Sequence, residues 1–304
     1  ALLALSGTIP EAGNVEAGDT VSDHDPHEKA AGNSLDVSLL HFQTNDRLVH
    51  LIDTPGFPDL AGRAVAVLPA VETAAIVVDA HHGIEPVTER MMKAAGQGKL
   101  DRLLVINHID SPKSKPEELL LEIQERFGPE CLPLNLPADR GERVVDCFFR
   151  PDYDAEVDFS SVTEAHVTMV DQVVERDEDL MEIYLEQDKA LNPDQLHDPF
   201  EEALREGHLI PVCFVSAKTG AGLDLLMETI VRLMPNPTEG NPPRYLMGEG
   251  EEARPVEVTP DDSKHAIGHV FKITNDPFRG KLAVFRLHQG KIKINDQLFI
   301  GDAR

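Results

Sequence analysis

The sequence predicts an α/β fold: a mainly parallel sheet with an inserted α+β subdomain, followed by the start of a β-barrel. Three observations predict it. Short β-branched apolar runs alternate with helical patterns through the first part of the 304-residue chain, and such alternation implies a parallel sheet covered on both faces. The rhythm breaks after Asp110 and resumes only at Ile210, so roughly a hundred residues look inserted between two sheet strands. A Pro- and Gly-rich stretch, 235–243, then precedes strand-like runs separated by turns.

Residues 1–6 (ALLALS) lack the basic leader and initiating Met of a signal peptide and read as the end of a helix. Residues 37–42 and 47–52 are short apolar-rich runs; 74–79, 103–106 and 210–215 read as buried strands. A helical pattern covers 85–98. Ser114-Lys-Pro-Glu117 reads as a capping box with Ser114 as N-cap, heading a helix whose stripe is Leu120, Ile123 and Phe127. A strand-like run at 143–149 leads into acidic helical sequence. At 220–234, Leu223, Leu226, Met227, Ile230 and Met234 recur at helical spacing. Beyond the linker, 265–273, 282–287 and 292–300 are strand-like. The expected division is a sheet domain over 1–110 and 208–236, an inserted subdomain over 111–207, a linker over 237–250 and a partial barrel over 251–304.

The net charge of −26 argues against binding nucleic acid through a broad basic face. DNA is therefore not an expected partner, and no apolar run reaches the ~18 residues of a membrane span. Three cysteines, Cys131, Cys147 and Cys213, stand far apart with no CxxC spacing, which points to a reducing cytoplasm rather than a disulfide scaffold. The acidity peaks between Asp171 and Glu206, which reads as a solvated helix face or, alternatively, as an electrostatic docking face.

Three motifs each follow an apolar strand, where open α/β sheets bind ligands. Asp53-Thr-Pro-Gly56 comes first. In P-loop nucleotidases the Asp ending this strand helps hold magnesium, and the Gly offers its N–H to the terminal phosphate. Asn107-His-Ile-Asp110 comes second. Guanine presents N1–H and an N2 amine that a carboxylate accepts together, and Asp110 has that chemistry, with Asn107 free to tie the loop to its neighbours. Ser216-Ala-Lys218 comes third. A tight loop there points backbone N–H groups at guanine O6, and Ser216 is placed to brace Asp110. Each motif alone reads as an ordinary turn; the three in this order read as a guanine-nucleotide site. His81 and His82 are adjacent, point apart, and read as loop residues.

The order DTPG, N-x-x-D, SAK resembles the GTPase domain of translation factors. The insertion before SAK resembles the extra subdomain of elongation factor G, and the segment 269–281 (HVFKITNDPFRGK) resembles the opening of that family's second domain. The resemblance implies a P-loop GTPase-type fold, GTP or GDP with Mg2+ as cofactors, and a cytoplasmic factor acting in protein synthesis. It implies the ribosome and ribosomal stalk proteins as partners. It assigns Asn107, His108, Asp110, Ser216, Ala217, Lys218 and Gly56 to the nucleotide, and Asp53 and Ser34 to the metal.

The departures are as informative. No G-x-x-x-x-G-K-[ST] occurs in the sequence, and residues 1–6 match the last turns of the helix that follows such a loop. About twenty family residues are therefore expected to be missing ahead of them. In such GTPases the first strand lies inside the sheet, here between the strands ending at Ile52 and Ile106, so its loss is expected to leave those two strands with open edges. The family's DTPGH uses its His to position the attacking water, but Phe57 stands there and a phenyl ring does not bond water. The family's N-K-x-D Lys packs on the guanine plane, and His108 replaces it. Gly32-Asn-Ser-Leu35 is the match for the switch sequence RGITI, with Ser34 at the magnesium Thr. Three readings follow: a divergent translocation-type GTPase, a non-hydrolysing GTP-binding relative, or an incomplete gene product that binds no nucleotide.

Overall fold

A computed structural model describes residues 1–44, 46–175, 178–186, 193–241, 245–248, 250 and 253–299. The chain forms two compact units, Ala1–Asn241 and Pro242–Arg304.

The first unit opens with one helical turn, α1 (Leu2–Leu5), whose Leu3 is buried. A short helix, α2 (Pro26–Ala31), starts at a capping box between Asp25 and Glu28 and stops at Gly32, which takes the left-handed conformation that glycine adopts without strain. The hairpin β1 (Ser38–Thr44) and β2 (Arg47–Asp53) is antiparallel. After α3 (Ala61–Val67) come β3 (Thr73–Asp79), α4 (Pro86–Gln97), β4 (Asp101–Asn107), α5 (Pro116–Phe127) and β5 (Cys131–Pro133). A small hairpin, β6 (Asn135–Ala138) and β7 (Arg143–Asp146), leads to α6 (Val162–Val174), α7 (Glu178–Glu186) and α8 (Pro193–Glu206). β8 (Ile210–Phe214) and α9 (Leu223–Arg232) complete the unit.

The central sheet is four-stranded and parallel, in the order β3-β4-β8-β5. Its inner strands β4 and β8 are largely apolar because both of their faces are covered, and the period-2 alternation of side chains sorts them between two cores. Leu103, Val105 and Cys213 pack with Met169, Val173 and Phe200 of the inserted helices and with Leu223 and Leu226 of α9. Leu104, Ile106, Val212 and Phe214 pack with Met92 of α4 and Ile123 of α5. A third core joins Leu136, Cys147 and Ala165. The three cysteines are free and buried, with Cys213, Cys131 and Cys147 in the first, second and third of these cores.

Four expectations need correction. The sheet does not wait until Ile210: Cys131–Pro133 already runs parallel beside β8 as an edge strand, a run too short for apolar periodicity to reveal. Ser114 is not an N-cap. Pro116 takes the first helical position and Lys115 precedes it, as proline's fixed φ and missing N–H favour. Ser114 Oγ instead bonds Ile109 O (3.0 Å) and Ser111 O (2.7 Å). The third correction concerns the open edges. β4, which holds Leu103–Ile106, is paired on both sides, with β3 and β8. Among the described residues β3 lies at one edge of the four-stranded sheet, and β2 is paired on one side only, with β1. On the face of β3 away from α4, Val77 stays 61% exposed.

The second unit holds a short pair, β9 (Tyr245–Met247) with β10 (Arg254–Val256), and a long hairpin, β11 (Ile267–Asp276) with β12 (Gly280–Gln289). The last correction falls here. Residues 292–299 form no strand. A turn from Lys293 to Asp296, with Asn295 at φ 72°, divides the run, and Ile294 is left 93% exposed. Ile273 of β11 and Phe278 in the turn between the two strands are exposed.

Candidate nucleotide-binding site

The carboxyl ends of β3, β4 and β8 bring three loops together. β4 delivers Asn107, His108 and Asp110; β8 delivers Ser216, Ala217 and Lys218. Ser216 is fully buried and its Oγ donates to Asp110 Oδ1 at 2.6 Å. The same oxygen of Ser216 accepts the Thr219 N–H at 3.1 Å. Asn107 Oδ1 accepts the Ala217 N–H at 2.9 Å, and the Ile109 N–H reaches Val215 O. Two loops 106 residues apart are thus tied at both ends. Asp110 commits Oδ1 to the brace, and its Oδ2 has no hydrogen-bond partner among the described residues. Ala217 and Lys218 are exposed at the rim.

His108 sits at φ 63°, in the left-handed region that non-glycine residues rarely occupy. Its Nδ1 is 2.6 Å from Asp79 Oδ2. The other oxygen, Oδ1, accepts the N–H groups of His81 (2.7 Å) and His82 (3.1 Å). Burial pushes the Asp79 carboxyl up, but these hydrogen bonds and the His108 ring outweigh it and hold it down to about 2. The adjacent His81 and His82 are loop residues, and His82 Nδ1 lies 3.4 Å from Asp79.

Two supports were invisible in the sequence. Asn135, fully buried, accepts the Phe214 N–H with Oδ1 (2.7 Å) and donates Nδ2 to Phe214 O (3.1 Å). Its amide thereby acts as one more strand residue along β8. Gly141, at φ 78°, closes the turn between β6 and β7 against the Ile109 carbonyl, which a Cβ there would overlap. The hairpin therefore props the Asp110 loop from behind. Neither residue belongs to a motif; only a left-handed glycine in a tight turn hints at Gly141.

Asp53 ends β2, and Gly56 and Phe57 follow it. Gly56 has open space around it and Phe57 is 54% exposed. Ser34 lies in the loop after α2, where its Oγ donates to Asp23 Oδ1 at 2.6 Å. Glu28, 3% exposed, fastens that loop from inside by accepting the N–H groups of Leu35 (2.9 Å), Asp36 (3.0 Å) and Asp25 (3.2 Å). Arg63 of α3 clasps it from outside, bonding Leu35 O at 2.7 Å and pairing with Asp36 at 2.9 Å. Asp53 is exposed as a whole, but its carboxyl is crowded. Desolvation raises it above the usual carboxylate range and Asp23 and Glu28 add repulsion, against hydrogen bonds from Ser22 and the Thr54 backbone. Among the described residues no three His, Cys, Asp or Glu side chains gather as a metal cage. Magnesium asks for less: one or two protein oxygens, with phosphate and water supplying the rest. The carboxylate of Asp53 and the hydroxyl of Ser34 are hard-oxygen donors that fit that share.

Comparison with known proteins shows what the chain is similar to. Residues 1–236 match the family described as "Elongation factor Tu GTP binding domain". An "Elongation factor G-like protein" of Mycobacterium tuberculosis is 28% identical over 306 residues, covering 96% of this chain and 42% of that protein. A "Ribosome-releasing factor 2, mitochondrial" of Lodderomyces elongisporus is 25% identical over 331 residues, covering 98% and 40%. A crystal structure of a Thermus thermophilus protein superposes with a TM-score of 0.77 at 28% identity, over 97% of this chain and 43% of that one. The chain spans less than half the length of these relatives. With residues 1–236, more than half of the chain, inside one family match, the chain belongs to the elongation factor Tu GTP-binding domain family.

Proposed function

We propose that the chain is the guanine-reading part of a translational GTPase of the elongation factor G type, working on the ribosome in the cytoplasm and engaging the ribosomal stalk. The observation that carries this reading is the double tie between the Asn107–Asp110 and Ser216–Lys218 loops. A braced carboxylate costs no reorganisation when it accepts guanine N1–H and N2–H, and it rejects adenine, which offers it no matching donors. Asp53 and Ser34 would hold Mg2+, which neutralises phosphate charge when bound. Gly56, with its free surroundings, would offer its N–H to the terminal phosphate. The same reading divides the chain into a GTPase domain, an inserted subdomain centred on β6, β7 and α6–α8, a linker and a β-rich second domain.

The exposed Phe57 favours a second reading within the same class. With no group at this position to orient water, the factor binds GTP and the ribosome but hydrolyses slowly or not at all. One experiment tests both. Ribosomes are pelleted with a polypeptide that carries a phosphate-binding loop ahead of residue 1, in the presence of guanine or adenine nucleotides, and single-turnover hydrolysis is followed. Guanine-dependent pelleting supports the proposal, and indifference to the base overturns it. The hydrolysis rate separates the two readings.

A further inference from the structure

Asp79 ends β3 outside the three nucleotide motifs, yet it touches the middle of one of them. Its two carboxylate oxygens have separate tasks. Oδ1 takes the backbone N–H groups of His81 and His82, while Oδ2 takes the ring of His108. An ionised carboxylate only accepts hydrogen bonds, and Asp79 is held ionised far below neutral pH. The proton of this bond therefore sits on His108 Nδ1. The neutral ring is then fixed as the Nδ1–H tautomer, and Nε2 has no protein partner among the described residues. The backbone of His108 is also in the left-handed region, a conformation that needs support from elsewhere. Asn107 and Asp110, which carry the two ties to the next loop, flank it within the same turn.

We infer that Asp79 is a positioning residue for base recognition, acting through His108: it locks the imidazole in one tautomer and one place, and so sets the turn that presents Asp110 to guanine. The inference rests on the proposed guanine site. A lysine at this position reaches by length and charge, whereas a histidine has one rotatable arm and two chemically different nitrogens. It needs a partner that chooses between them, and Asp79 supplies the choice.

The test begins without ligand. In Asp79→Asn the side-chain oxygen still serves the His81 and His82 N–H groups, which leaves an NH2 facing His108. The ring must then accept, and its proton moves to Nε2. Ring 15N spectra of the 1–304 polypeptide, with His108 assigned by its loss in His108→Gly, should show the Nδ1–H form in the parent and the Nε2–H form in Asp79→Asn. The same form in both overturns the inference.

The second measurement uses guanosine monophosphate and adenosine monophosphate as probes, followed by saturation-transfer NMR. Asp79→Asn should weaken the guanosine probe by roughly three- to tenfold, the scale of a charge-assisted hydrogen bond felt at one remove. In a His108→Gly background, where glycine keeps the left-handed turn without a ring, the same change should cost nothing further. An equal loss in both backgrounds would mean that Asp79 only supports the His81–His82 turn. A parent that does not distinguish the two probes would remove the guanine site itself, and this inference with it.

Discussion

Ser216 Oγ donates to Asp110 Oδ1 at 2.6 Å, so the carboxylate proposed to read the base is held by a residue from the loop after the neighbouring strand, β8. The brace uses one oxygen of Asp110 and fixes the direction of the other. Asp110→Asn should therefore move preference from guanine toward xanthine, because an amide donates to the xanthine C2 oxygen where a carboxylate cannot. Competition between guanosine and xanthosine nucleotides checks it, and unchanged guanine preference would place the base elsewhere.

Gly141→Ala should weaken guanine binding without touching any ligand. The added methyl meets the Ile109 carbonyl, and the φ of 78° is strained for alanine. A loss of roughly 1–3 kcal/mol is expected, part in stability and part in displacement of the Asp110 loop. Full affinity in a variant with normal stability would show that the hairpin does not prop the site.

Phe57→His should raise ribosome-stimulated GTP hydrolysis in a polypeptide that carries a phosphate-binding loop. Positioned groups that handle protons or water contribute about 100- to 10,000-fold. The substitution should fold normally, since Phe57 is already 54% exposed. Fast hydrolysis by the unmodified protein would mean that another group orients the water.

Asp101 sets a pH dependence of stability. It is 2% exposed and its Oδ1 has no partner. Desolvation pushes its carboxyl from 3.8 up to about 7; Arg205 and Arg102 pull it down and Glu201 pushes it further up. The folded state thus holds this proton more tightly than the unfolded chain. Its contribution is intact below about pH 4, is lost as pH rises toward 7, and is constant above, with a total on the order of a few kcal/mol. Asp101→Asn mimics the protonated acid and should flatten the profile. Urea melts at pH 5 and pH 8 should show the variant gaining most at pH 8.

Hydrogen exchange should rank the strands by their pairing. Amides of Leu104–Ile106, where β4 is paired on both sides, should exchange more slowly than those of β3, whose outer edge is unpaired. Free edges also invite other chains, so the ranking should be measured at low concentration. Slower exchange in β3 than in β4 would mean that its edge is covered.

The ties between the two loops of the candidate site were legible because their chemistry is local. Asp110, Asn107 and Ser216 lie in short motifs directly after apolar strands, and the structure joins them as their residue types suggested. The buttresses were not legible. Asn135 and Gly141 act through contacts with Phe214 and Ile109 that sequence spacing does not encode. β5 escaped notice because three apolar residues carry no period, and Ser114 misled because Pro116 claims the helix start. The open edge was assigned to the strand ending at Ile106 rather than to β3, because strand order depends on crossovers rather than on the residues within a strand.

The three buried thiols give the molecule a chemical record of its own motions. Burial pushes Cys131, Cys147 and Cys213 each up to about 12, so in the closed protein none offers the thiolate that alkylating reagents need. Each belongs to a different core. Labelling at one position and not another would therefore report which layer opened, and the order of labelling would give the sequence in which the unit comes apart. No probe has to be introduced; the reporters are already distributed one to a layer.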